Sequence, residues 1–193
     1  MLAYYKSADG IGLFAPRGWY CEGASGSSGY ALYLSPKPIR DSQSGWEGLE
    51  GVAIEVDHIT SAASGRYEIA EIMARVFPEY RAFAARVLEG IDRPLPPGPY
   101  PRDTLKYQSK TVVEYKTPAQ TEGLGNMDSW LKKNDTPIEG AAIMLGDIDK
   151  YGDAPDVLRL SVRLSAVQAR LTPVIVRDVE RSAVIGAVIG IRK

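Results

Sequence analysis

One cysteine, Cys21, and one histidine, His58, are all that 193 residues offer of the two side chains most used in metal sites and nucleophilic catalysis. A lone thiol excludes an internal disulfide and any cysteine-rich metal site. A lone imidazole excludes sites that need two or three, including most catalytic zinc sites. No cofactor is implied. Charge of one sign is also scarce: 23 Lys and Arg stand against 24 Asp and Glu, for a formal net charge of -1. With no like-charge block, neither nucleic acid nor an anionic membrane is expected as a partner. The longest apolar stretch, Ala183 to Ile191, is about half the length a membrane span needs, so no membrane span is expected. Met1-Leu2-Ala3-Tyr4-Tyr5-Lys6 lacks the basic-then-apolar pattern of a signal peptide. Two localisations stand open: cytoplasmic, or exported if a targeting segment was removed before Met1.

What is present is ordinary globular composition, 45% hydrophobic and 24% charged, in a chain long enough to bury its own core. Ile11–Ala15 and Tyr30–Ser35 read as strands, and the Gly/Ser-rich residues Glu22 to Gly29 as a loop that makes them a hairpin. Val52, Ile54 and Val56 alternate with Ala53, Glu55 and Asp57, as in a strand with one wet face. From Arg66 to Glu89, Ile69, Ile72, Met73, Val76, Tyr80, Phe83, Val87 and Leu88 form one apolar helical stripe, with Pro78 predicting a kink or break. The run Pro94–Pro101 is an extended connector, read as a stiff crossover inside one domain. Beyond it, Leu105–Thr117, Ile138–Leu145 and Val157–Leu164 read as strands and Pro118–Pro137 as a long loop. A helix is expected from Thr172 as cap with Pro173 in its first turn, and the tail from Val184 is open between strand and helix. The fold class expected is α+β: one domain, 1–193, with an antiparallel sheet, a Pro-kinked long helix and a C-terminal helix on one face.

Each candidate for chemistry has a plain alternative. Cys21 and His58 make the one possible thiol–imidazole pair, a nucleophile with its base, or else a small thiol and a core histidine. Gly23, Gly26 and Gly29 lack the Lys-Ser/Thr ending and following helix of a phosphate loop. Asp147 to Asp153 opens like a calcium loop, but Leu158 stands where a bidentate Glu is needed. Glu114, Glu122, Asp128, Asp135 and Glu139 offer no spacing that fixes an acid/base pair. The 118–137 loop carries Gly123, Gly125 and Trp130, a fair composition for binding, with Ser27 and Ser28 of the Gly23–Gly29 loop expected beside it. Trp130 has a competing role as core at the sheet edge.

Phe14-Ala15-Pro16-Arg17-Gly18-Trp19, after a short strand, resembles a segment of the fold shared by the extrinsic oxygen-evolving protein of photosystem II and a Ran-binding import factor. That resemblance implies an antiparallel sheet with helices on its faces, and a binding or assembly role. Gly18-Trp19-Tyr20-Cys21 through Gly26-Ser27-Ser28-Gly29, with Thr117-Pro118-Ala119 and Gly123-Leu124-Gly125, is similar to uncharacterised bacterial proteins of unknown function. The leading expectation is a non-enzymatic bacterial binding or accessory protein whose loops at a sheet edge take a protein or small-molecule ligand. The alternatives are a small hydrolase using Cys21 and His58, and an interaction domain of a larger assembly.

Overall fold

The computed structural model describes residues 1–8, 11–39, 48–148 and 152–190, the last seven as backbone. Seven antiparallel strands form the main sheet in the order β3-β4-β5-β9-β8-β7-β6. They are β3 Tyr20–Gly26, β4 Gly29–Ser35, β5 Ala53–Ile59, β6 Thr104–Tyr107, β7 Val112–Thr117, β8 Ile138–Met144 and β9 Val157–Arg163. A separate hairpin pairs β1 Leu2–Lys6 with β2 Gly12–Pro16. The helices are α1 Gly65–Val76, α2 Arg81–Glu89 and α3 Thr172–Gly190. Strands from both sides of the Pro-rich connector meet where β5 pairs β9. The connector itself is tied to α1 and α2: Arg75 donates to Gly98 O and stacks over Tyr100, and Arg81 donates to Pro96 O.

Alternation along the strands divides the core in two. Leu32, Leu34, Ile54, Val56, Ala141, Ile143, Leu160 and Val162 face the β1–β2 hairpin and α3, which adds Ile175, Val176 and Val179. The opposite face, with Val113, Tyr115, Ala142, Met144 and Val157, packs against α1 and α2. The helices therefore cover both faces, where one was expected; both parities of β8 are largely apolar, so each face requires a cover.

Three local expectations change. Residues 22–26, read as loop, continue β3, and the hairpin partner of β4 is β3 rather than β2. Small residues do not stop a strand whose ladder to an inner neighbour is complete. Leu105–Thr117 is two strands, β6 and β7, turned back at residues 108–111. Thr172 is the first helical residue of α3 rather than its cap, because a 3-10 turn at Ala169–Leu171 leads into it. The tail is helical to Gly190. The break at Pro78 is as expected: Phe77 before it leaves helical geometry, and a 3-10 turn, Pro78–Tyr80, re-aims α2. Among the described residues no helix is long and apolar enough to cross a membrane.

Candidate functional site

The face of β5 expected to be wet is dry. Glu55, Asp57, Arg159, Ser161 and Arg163 lie on the α1 side of the two central strands, and all are buried. Register places Asp57 against Arg159, Glu55 against Ser161 and Ala53 against Arg163. What covers them is the 118–137 segment, which has no ladder of its own and must place its backbone polar groups elsewhere. The buried side chains receive them. Arg159 donates to Met127 O and Asp128 O, and Arg163 to Lys132 O, Leu49 O and Gly51 O. Glu55 Oε2 accepts from Trp130 N at 2.9 Å and Ser129 Oγ at 2.8 Å. A guanidinium suits this role because its five donors lie in a fixed fork.

Beside this row a cleft of about 200 Å³ opens between β3–β4, α1 and the loop. Its walls include Ala24, Gly26, Ser28, Tyr33, Glu68, Asp128 and Trp130 over a floor of Glu55, Asp57 and Arg159. Tyr33 and Trp130 meet with ring centroids 5.8 Å apart. Four of the lining residues are carboxylates, and Arg159 is the one Lys or Arg among them. The guanidinium is engaged with Asp57 Oδ2 at 2.8 Å and lies 3.6 Å from Glu68 Oε1.

Burial pushes Glu55 up to about 8, helped by the charge of Asp57 and opposed by Arg159 and the hydrogen bonds to Ser129 and Trp130. Burial also raises Asp57, against the attraction of Arg159 and hydrogen bonds from Arg159 and Glu55. Glu68 is raised by burial too, with Arg159 pulling down and Asp57 and Asp128 pushing up. Burial alone would lower Arg159, but Asp57, Glu55 and Glu68 outweigh it and hold the guanidinium charged. The floor is thus a buried acidic cluster, its carboxyls raised by burial, around one committed cation.

Of the residues singled out in the sequence, Trp130, Ser28, Gly26, Gly29, Asp128 and His58 line this cleft. Ser27 does not line the cleft. Gly123 and Gly125 are buried packing positions: a Cβ on the first meets Asp103 and Thr117, and on the second Ile138. Cys21 and His58 are kept apart. Cys21 pairs with Leu34 and His58 with Tyr30, so the two are offset by four residues, about 13 Å, along the sheet. Partial burial and Glu22 raise the Cys21 thiol above its ordinary pKa, the wrong direction for a nucleophile. His58 leaves β5 on the face opposite Asp57, and its Nε2 lies 3.0 Å from Asp156 Oδ2.

Asp147 accepts from Tyr80 Oη and pairs with Lys110, while residues 149–151 of the calcium-like run lie outside the described residues. Among the described residues no group of three or more His, Cys, Asp or Glu is placed to hold a metal ion. Glu114, Glu122 and Glu139 pair with Lys106, Lys133 and Lys116, and Asp135 accepts from Gln120. Of those five acids only Asp128 reaches the cleft. Sequence reading missed Glu55, Asp57, Glu68 and Arg159. The available signal was opposite charge at matching strand positions, Asp57 against Arg159, in elements a hundred residues apart.

The chain matches no family model, no curated protein and no solved structure. No activity is therefore carried over from a relative, and the site must be read from its own chemistry.

Proposed function

We propose that the protein is a non-enzymatic binding protein that holds a small organic cation in the cleft over β4, β5 and β9. The observation that carries this reading is the surplus of carboxylates around a guanidinium already committed to Asp57 and to loop carbonyls. An ammonium or guanidinium group entering beside Glu68 and Asp128 relieves their mutual repulsion. The Tyr33–Trp130 wall supplies aromatic surface, which favours a cation over a neutral group of the same size. A binding role is favoured over catalysis because the floor acids Glu55 and Asp57 are buried and already engaged by Ser129, Trp130 and Arg159. The floor works as a fixed electrostatic platform and the loop as the wall held upon it.

The test is titration of the whole chain with choline, agmatine and putrescine, against n-butanol and succinate as neutral and anionic controls. Trp130 indole and Tyr33 ring resonances are followed by NMR. At least one of the three cations is expected to shift them saturably, with the effect lost in Glu68→Gln. Response to succinate in preference to all three cations, or no response to any cation, overturns the reading.

A further inference from the structure

All seven residues of β3 are exposed, and among the described residues no strand pairs with its outer edge. The strand is Tyr-Cys-Glu-Gly-Ala-Ser-Gly, paired to β4 through seven positions without a bulge. Of the usual guards of an open edge it carries one charge, Glu22, and no lysine, proline or bulge. The other edge, β6, is four residues long and presents Lys106.

The direction of the β3 backbone follows from a single bond. Thr60 N–H donates to Ser28 O, so Ser28 and, by alternation, Tyr30, Leu32 and Leu34 turn their backbone polar groups toward β5. The odd residues of β4 then bond β3, and their register partners Tyr20, Glu22, Ala24 and Gly26 point inward. Cys21, Gly23 and Ser25 are left with N–H and C=O directed outward.

We infer that β3 is a self-complementary edge that pairs antiparallel with β3 of a second copy, about a two-fold axis at Gly23. That axis sets Gly23 opposite itself as a hydrogen-bonded pair, and Cys21 opposite Ser25 as the next, so every outward group of the three residues is satisfied. The same register places Tyr20 across from Gly26 and Glu22 across from Ala24. Large residues meet small ones, and the one charged residue of the strand faces alanine instead of its own copy. A shift of register by two residues brings Glu22 directly opposite Glu22 or leaves outward groups unpaired, and like charges directly opposite destabilise a pair. The axis stands perpendicular to the sheet, so both clefts open on one face. The partner's Glu22 then stands beside Ala24, which lines the cleft, and extends its acidic rim. This inference stands apart from the cation reading, because it rests on the β3 backbone and not on the cluster at Glu55.

Sedimentation velocity of the full chain over a concentration series reads the association directly. A dimer is expected, weakened about tenfold by Ala24→Glu, which faces Glu22 across the axis twice, and strengthened by Ala24→Lys. Ala24 is an exposed edge residue, so neither change removes a core contact. A second measurement does not depend on these variants. Ser25→Cys brings the new thiol opposite native Cys21 of the other copy at the Cα separation a disulfide accepts. Mild oxidation should give a covalent dimer whose cross-link maps to positions 21 and 25, absent when Cys21 is also changed to Ser. A chain that stays monomeric and gives no 21–25 cross-link overturns the inference. So does a dimer indifferent to charge at position 24, or β3 amides shielded only when a different protein's extended segment is added.

Discussion

Arg159 and Asp57 stand directly opposite each other on β9 and β5, with Nε and Nη2 of the arginine 3.2 and 2.8 Å from one carboxylate oxygen, Oδ2. The pair lies at the floor of the cleft and also holds the 118–137 wall, through the bonds from Arg159 to Met127 O and Asp128 O. Removing the arginine therefore does three things: it strands a buried carboxylate, orphans two carbonyls and loosens the wall.

Arg159→Met is expected to cost about 3–5 kcal/mol, the usual penalty for breaking a buried pair from one side. Adding Asp57→Leu should recover part of that loss, because the uncompensated charge goes with it. Urea denaturation of the two variants and the parent checks both. A double variant less stable than the single one would show that the loop carbonyls, rather than the stranded charge, dominate.

Stability should fall as pH rises from about 5 to 8. Glu55 is lifted in the fold from 4.5 to about 8, so the folded state holds a proton that the unfolded state has released across that window. Asp57 and Glu68 shift the same way and add to the slope. Asp156 acts in the opposite sense. Hydrogen bonds from His58 and Ser61 outweigh its partial burial and lower it, so its contribution is lost only as pH falls below the ordinary carboxylate range. Glu55→Gln, which keeps the shape of the protonated acid, should flatten the slope. Melting temperatures at pH 5, 6.5 and 8 decide it, and a parent that gains stability over this range contradicts the assignment.

Tyr115 reaches across Gly140 to β9, where its hydroxyl donates to Leu160 O at 2.7 Å and lies 2.7 Å from Ser161 Oγ. Tyr115→Phe should cost about 1–2 kcal/mol by leaving those oxygens short of a partner. Gly140→Ala should cost more, since its Cβ runs into Leu160 O and the tyrosine hydroxyl, and the backbone carbonyl cannot swing away. Chemical denaturation ranks the two, and the reverse order would refute the steric account.

The chain is expected to unfold in one transition, with fluorescence and far-ultraviolet circular dichroism coincident. The motivation is the β5–β9 pairing, which joins strands from either side of the Pro-rich connector. Two resolved transitions would separate residues 1–93 from 102–193.

Period-two alternation made β5 and β9 legible in the sequence, and period-3.6 spacing with Pro78 gave the broken helix. Both patterns report an element's own burial. β3 escaped because an edge strand of glycine, alanine and serine buries nothing and is defined by the ladder to its neighbour. The β6–β7 turn escaped because Gln108-Ser109-Lys110-Thr111 contains neither glycine nor proline. The cluster at Glu55 was hidden for a different reason. Alternating charge on a strand looks the same whether water or a loop backbone lies over it, so Asp57 and Arg159 read as solvated. Trp130 and Ser28 were visible as loop residues of suitable type, and only the fold brings them to one cleft.

The middle of the sheet is also the last part of it to be made. β5 is complete at Ile59, yet its partner β9 begins at Val157, after α1, α2 and three further strands have been synthesised. A nascent copy therefore carries the β9-facing edge of β5, at Ala53, Glu55 and Asp57, unpaired from Ile59 until Val157 is made, with no arginine to meet the two acids. Contacts of such sequence separation make folding slow and post-translational. Yield of folded protein should accordingly depend more on growth temperature and chaperone supply than on the stability of the finished fold.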